Sequence, residues 1–390
     1  MSVTSPSGFR AAGVAAGLKD GGQLDLALLV NDGPGRAAAG MFTTNQVKAA
    51  PVLWSQQVLS GGALRAVVLN SGGANACTGP EGFQTTHATA EKAAEALSTA
   101  ESACGAGDVA VCSTGIIGEQ LPRAALLAGV EKAAGELAGT QEGGTAAATA
   151  VLTTDTHPKQ TVVVADGWSV GGFAKGAGML APAMATMLVV LTTDAIADAA
   201  TCDAALRAAV EPTFNRLDVD GGTSTNDTVL LLASGASGVA PGAEELADAV
   251  RAACADLCRQ LQADAEGATK HITITVHGAR SDADALAVAR TVSQDNLVKT
   301  ACFGSDPNWG RIAMAVGRAP GEVDPQGLGI TINGVPMCRD GVAAGDRHAV
   351  DLSGVDIAVE IELGLGRGTA EILTTDLSHG YVEENSAYSS

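Results

Sequence analysis

The 390-residue chain has few aromatic residues: three tryptophans, two tyrosines and six phenylalanines, 3% of the total. Since 46% of the residues are hydrophobic, the core must be built mainly from alanine, valine, leucine and isoleucine, and 49 glycines allow layers to approach closely. Basic residues are scarce as well, 23 lysines and arginines against 43 aspartates and glutamates, for a formal charge of -20. Without a basic block, nucleic acids and anionic membrane surfaces are excluded as partners, because cationic patches supply most of that binding. An anionic substrate would need a locally basic pocket. No run approaches about 18 consecutive apolar residues. The opening "MSVTSPSGFR" lacks the basic and apolar regions of a signal peptide, so a cytoplasmic location is expected. The eight cysteines (Cys77, Cys104, Cys112, Cys202, Cys254, Cys258, Cys302 and Cys338) include no Cys-x-x-Cys, and the six histidines no His-Glu-x-x-His. Buried reduced thiols and no metal are therefore expected.

The length suits two domains or one large α/β unit. Apolar runs bounded by turn residues read as strands: "DLALLV" (25–30), "RAVVLN" (65–70), "TVVVAD" (161–166) and "HITITV" (271–276). Alanine-rich helical periodicity covers 86–100, 122–138, 203–210 and 244–263. Two or three helices often separate consecutive strands, and "GGTSTNDTVLLLAS" (221–234) follows no simple alternation. A doubly wound parallel sheet therefore fits poorly, and layers of helix, sheet, sheet and helix fit better. No repeat or low-complexity linker marks a domain boundary.

One segment carries unusual chemistry. In "KGAGMLAPAMATMLVVLTTDA" (175–195) a glycine-rich approach leads through Ala185 and Thr186 into an apolar strand. A threonine hydroxyl is a weak nucleophile unless a base adjoins it, and a threonine at a new N-terminus supplies its own amine. With a pKa of about 7.7 to 8.0, that amine is partly neutral near pH 7. Exposing it requires cleavage between Ala185 and Thr186, by attack of Thr186 on the Ala185 carbonyl. A second stretch, "CSTGIIGEQLP" (112–122), offers the Thr114 hydroxyl and glycine backbone N–H groups, the donors an acyl-transfer oxyanion requires. Neither it nor "GLGRGT" (364–369) carries Gly-x-Gly-x-x-Gly, so no nucleotide cofactor is indicated. Taken singly, each stretch is also compatible with an ordinary turn.

Together with "TGIIGEQLP", the blocks "NSGGANACTG" (70–79), "TTDTHPK" (153–159), "KGAGMLAPAMATML" (175–188), "DGGTSTNDT" (220–228), "EGATK" (266–270), "DPNWGR" (306–311) and "NSAYSS" (385–390) closely resemble the ornithine acetyltransferase family. The resemblance runs from near residue 8 to the last residue. It implies a four-layer αββα sandwich of N-terminal-nucleophile type with a smaller C-terminal α/β domain. It also implies self-cleavage into an α chain (1–185) and a β chain (186–390), assembled as an α2β2 heterotetramer.

In that family the new terminal threonine takes acetyl from N-acetylornithine as an ester, releases ornithine and passes the acetyl to glutamate. Carried over, Thr186 is the nucleophile, and Thr114 and Gly115 form the oxyanion hole. Thr153, Lys175, Glu266, Asn385 and Ser390 bind substrate, with Lys175 suited to a substrate carboxylate and Glu266 to the ornithine side-chain ammonium. Thr153 is preferred to Thr154 within "LTTDTHPK", and 306–311 is assigned to structure or pocket shaping. Family members that do and do not use acetyl-coenzyme A share these motifs, so that donor stays open. A hydrolase of the same fold and a processed binding protein are the rival readings; the pocket residues and the terminal tail favour the transferase.

Overall fold

The computed structural model describes residues 2–100, 102–181 and 187–387. They divide into two units. The first comprises most of the chain up to Leu261; the second comprises the residues from Gln262 onward, with short segments beginning at Gly178 and Arg216.

In chain order the first unit contains β1 (Phe9–Val14), β2 (Leu26–Asn31), β3 (Ala38–Phe42), α1 (Ala50–Leu59), β4 (Ala66–Asn70), α2 (Gly79–Leu97), β5 (Val109–Ser113), α3 (Arg123–Gly135), α4 (Gln141–Ala150), β6 (Lys159–Val164), β7 (Ser169–Lys175), β8 (Leu188–Thr193), α5 (Ala199–Val210), β9 (Thr228–Ala233) and α6 (Ala243–Ala263). These strands form two sheets, one ordered β1-β2-β4-β5 and the other β3-β9-β8-β7-β6. The parallel pairs β4–β5 and β8–β9 need crossovers, which α2 and α5 supply.

Every residue of β2, β4, β8 and β9 is buried. Strands covered on both faces read as continuous apolar runs, the pattern of the middle layers of a stack. Between the sheets, Leu29, Val67 and Leu69 of one pack with Phe173, Val190, Leu230 and Leu232 of the other. On the opposite face of the first sheet, Leu26, Leu28, Val68 and Val111 meet Ala90, Ala93 and Leu97 of α2 and Leu126 and Val130 of α3. The α5 helix lies against β3 and β9. The α6 helix buries Leu246, Val250, Cys254, Leu257 and Leu261 at helical spacing. Each such large aliphatic side chain contributes about 1.5–3 kcal/mol on burial. The α4 helix approaches β1 so closely that a Cβ on Gly13 would stand 2.0 Å from the Ala146 carbonyl oxygen.

The second unit contains β10 (His271–Ala279), α7 (Asp282–Ser293), α8 (Asn296–Phe303), α9 (Trp309–Gly317), β11 (Gly329–Ile332), β12 (Val335–Arg339), β13 (Val342–Ala343), β14 (Asp356–Glu362), β15 (Gly368–Thr375) and α10 (His379–Ala387). Its sheet runs β13-β12-β11-β14-β10-β15. In β14, buried Ile357, Val359 and Ile361 alternate with exposed Asp356, Glu360 and Glu362, so one face is covered and the other open. The covered face packs with Val288, Val292, Val298, Ile312 and Val316 of α7–α9.

The architecture is the expected helix, sheet, sheet, helix arrangement with a smaller C-terminal α/β unit, but several local expectations are corrected. Strands also follow one another with no helix between them, as in β2–β3 and β6–β7. The α2 helix starts seven residues before 86, with Pro80 in its first turn, where a missing N–H costs nothing. The α5 helix starts at Ala199, because the Asp198 side chain accepts the Thr201 N–H and caps it. The two units divide beside α6, whose unbroken apolar stripe offers no composition change to read as a boundary. All eight cysteines are free, but Cys77 is exposed and Cys104 half-buried, so burial holds for the other six. In 306–311, Asp306 pairs with Arg347 at 2.7 Å and Asn308 caps α9, structural contacts in keeping with the assignment made from sequence.

Candidate active site

Thr114 and Gly115 follow the last residue of β5, and the sequence between β4 and α2 folds back against them. Gly73 donates its N–H to the Thr114 carbonyl at 3.0 Å, Thr114 donates to Asn70 at 2.9 Å, and Ala74 donates to Ile116 at 2.9 Å. The Ser113 hydroxyl donates to Asn70 Oδ1 at 2.6 Å. Asn226, just before β9, ties both turns together by donating from Nδ2 to the Ala74 carbonyl at 2.6 Å and the Ser113 carbonyl at 2.8 Å. Gly115 holds φ +128, and its N–H has no backbone acceptor among the described residues. The turn thus presents a rigid backbone donor beside a buried hydroxyl.

Lys175, the last residue of β7, is 1% exposed. Its Nζ donates to the Thr153 hydroxyl oxygen at 2.8 Å and to the Thr114 hydroxyl oxygen at 3.2 Å, and lies 3.9 Å from Asp155 Oδ2. Asp155 Oδ1 accepts from Lys159 Nζ at 2.7 Å and from the Gly176 N–H at 2.6 Å, while Oδ2 accepts the Thr153 N–H at 3.1 Å. Burial alone would push the Asp155 carboxyl up. The charges of Lys175 and Lys159, with the hydrogen bonds from Lys159 and Gly176, hold it down at about 2. Two buried lysines thus face one buried carboxylate inside a chain of charge -20.

Thr114, Gly115, Thr153 and Lys175 are brought together within the first unit. Thr154 is half-buried beside Thr153. Glu266 and Asn385 meet within the second unit, where Asn385 Nδ2 donates to Glu266 Oε2 at 2.8 Å and to the Tyr381 carbonyl at 3.0 Å. The α10 helix, which the resemblance treats as part of a terminal tail, carries Asn385. Nearby, Asp220 accepts the Met179 N–H at 2.7 Å; burial, joined by the Glu266 charge, pushes its carboxyl up. The expectations for Ala185, Thr186 and Ser390 lie outside the described residues.

Besides Asn226, three residues of this region were not singled out from sequence. Asp155 and Lys159 stand inside the quoted "TTDTHPK", but a carboxylate between a threonine and a lysine reads as turn chemistry until its burial is known. Asp227 is fully buried and accepts the Met187 N–H at Oδ1, 3.1 Å away, while Oδ2 has no hydrogen-bond partner among the described residues. Burial pushes its carboxyl well up, against the Met187 N–H, the Lys175 charge and the Thr43 and Ser224 hydroxyls. Among the described residues no cluster of three or more His, Cys, Asp or Glu side chains could hold a metal ion, and no helix is long and apolar enough to cross a membrane.

Two stacked sheets between helices, with a donor turn and a buried lysine inside the stack, define a four-layer α/β sandwich. The chain belongs to the ArgJ family, whose model matches residues 10–390. It is 61% identical over 389 residues to the arginine biosynthesis bifunctional protein ArgJ of Mycolicibacterium paratuberculosis, covering 100% of this chain and 96% of that one. The protein of the same description from Streptomyces coelicolor is 57% identical over 390 residues, covering 100% of both. Among solved structures, ornithine acetyltransferase from Mycobacterium tuberculosis complexed with ornithine is 61% identical, covering 48% of this chain and 96% of that chain, with a TM-score of 0.46.

Proposed function

We propose that the protein is an acetyltransferase of arginine biosynthesis that moves acetyl from N-acetyl-L-ornithine to L-glutamate. The observation that carries the reading is the Thr114 hydroxyl beside the Gly115 N–H, which has no backbone acceptor among the described residues, set against the buried Lys175 and half-buried Thr153. Membership of the ArgJ family, whose Mycobacterium tuberculosis relative was solved with ornithine, supports the substrate class.

Thr186 Oγ attacks the Ala185 carbonyl, the acyl group moves from nitrogen to oxygen, and water hydrolyses that ester, giving α (1–185) and β (186–390) chains that assemble as α2β2. Thr186 Oγ then attacks the acetyl carbonyl while the Thr186 amine takes the hydroxyl proton. The developing oxyanion is held by Thr114 and Gly115, the kind of interaction that strengthens only as the tetrahedral centre forms. The C–N bond breaks, the proton passes to the ornithine nitrogen, and acetyl remains on Thr186 as an ester. The glutamate amine attacks that ester, and Thr186 recovers its proton. Lys175, Thr153, Asn385 and Ser390 hold substrate, and Glu266 receives the side-chain ammonium of ornithine. Acetyl-coenzyme A is tested as a second donor in the same assay.

The deciding experiment is transfer from N-acetylornithine with and without glutamate. N-acetylglutamate formed in step with ornithine supports transfer. Ornithine released at the same rate without glutamate would identify a hydrolase instead.

A further inference from the structure

An ammonium has three donors and no acceptor, whereas a hydroxyl has one donor and two acceptor positions. In the two contacts Lys175 makes with Thr153 and Thr114, the hydroxyl oxygens must therefore be the acceptors while Lys175 is charged. Each threonine proton is then turned away from Lys175 and available to an oxygen elsewhere. If Lys175 were neutral, its lone pair could accept from either hydroxyl and turn that proton back. The direction of the Thr114 donor thus depends on the charge of a lysine that is 1% exposed.

Water does not keep that charge in place; a buried ammonium without a counter-charge loses its proton readily. We propose that Asp155 is a positioning residue of this site: its carboxylate keeps Lys175 protonated and in register, and so fixes the Thr114 and Thr153 hydroxyls as donors. The inference rests on the oxyanion role assigned to Thr114 above. Asp155 is built for the task. It lies within 3.9 Å of Lys175 through Oδ2, and the same carboxylate accepts the Thr153 and Gly176 N–H groups on either side of the lysine contact. The other charged groups facing the cluster are Lys159 on β6, Asp227 before β9, which interacts with Lys175, and Lys19, which senses Asp155 and Asp25. With Asp155 neutralised, Lys159 and Lys175 would share one low-dielectric region without the carboxylate that balances them.

The test is kcat for the cleaved enzyme between about pH 6 and pH 10, in which an ordinary lysine stays charged. Asp155→Asn should show a new fall in kcat as pH rises, reaching about 100-fold below the unmodified enzyme at the alkaline end, the cost typical of losing one oxyanion donor. Lys159→Gln breaks the 2.7 Å bond to Asp155 but leaves Asp155 facing Lys175, and should keep the unmodified profile. An equal loss at every pH in Asp155→Asn, or the same alkaline fall in Lys159→Gln, would overturn the proposal in favour of a merely structural carboxylate. Thr114→Val separates the two readings. Full kcat in that variant would remove the oxyanion role itself, whereas impaired Thr114→Val with an unshifted Asp155→Asn profile would remove only the role of Asp155. Should Asp155→Asn not fold, the 13Cε resonance of Lys175 in the unmodified enzyme decides: it should stay that of an ammonium up to about pH 9, and titration below about pH 8 would refute the inference.

Discussion

Replacing Gly115 by alanine tests the donor turn without touching any side chain. Gly115 holds φ +128, which an L-residue adopts only under strain, at a cost of about 1–3 kcal/mol. A Cβ there would also stand 2.5 Å from the Gly73 nitrogen and 2.9 Å from the Gly72 carbonyl carbon. Those backbone atoms cannot swing aside, because Gly73 is hydrogen-bonded to Thr114 and Gly72 packs on the Leu18 carbonyl. Overpacking of this kind adds about 1–3 kcal/mol, so the total is about 2–6 kcal/mol, a large part of the 5–15 kcal/mol that holds most domains folded. Gly118 isolates the strain: its φ is +94, but nothing lies within 4 Å of its Cβ position, so Gly118→Ala should cost only about 1–3 kcal/mol. Urea unfolding of the three proteins measures both terms. Any folded Gly115→Ala should also lose about 100-fold or more in kcat as the N–H turns from the oxyanion. A Gly115→Ala variant as stable as Gly118→Ala would refute the clash, and full activity would refute the donor role.

Other outcomes follow from the same geometry. Asp155 holds its proton only below about pH 2 in the folded protein, whereas an unfolded aspartate does so below about 3.9, so the stabilisation is complete above pH 4 and lost as pH falls toward 2. It amounts to about 2–3 kcal/mol, and acid unfolding of Asp155→Asn should lack that dependence. Phe173→Ala empties a fully buried site between the two sheets and should cost about 3–5 kcal/mol in denaturant unfolding. Glu266→Gln should raise KM for N-acetylornithine about 10-fold or more with a smaller change in kcat, the value of a charge-assisted hydrogen bond; an unchanged KM would detach Glu266 from the ornithine ammonium.

Two of the middle strands were legible because "DLALLV" and "RAVVLN" are apolar on both faces, as a covered sheet requires, whereas the layer order came from the absence of simple strand–helix alternation and from the family resemblance. Among the strands not named from sequence, "FRAAGV", "AAGMF" and "SVGGFAK" are rich in alanine and glycine and have little β-preference of their own. Pairing with β2, β9 and β8 makes them strands, a tertiary effect. At the site, Thr114, Gly115, Thr153 and Lys175 were named from motifs, and their meeting required two sheets to stack. Asp155, Asn226 and Asp227 were hidden because their significance lies in burial and in partners 21 to 152 positions away.

The central claim is that Thr186 becomes a terminal nucleophile carrying acetyl between two amino acids. Denaturing mass analysis of the purified protein, before and after exposure to N-acetylornithine without an acceptor, tests it most directly. The account predicts two chains divided before Thr186, with the second chain heavier by one acetyl group on its N-terminal threonine peptide after exposure. That adduct should disappear when glutamate is added. A single uncut chain in a preparation that transfers acetyl, or cut chains that turn over without any acetylated threonine, would contradict it.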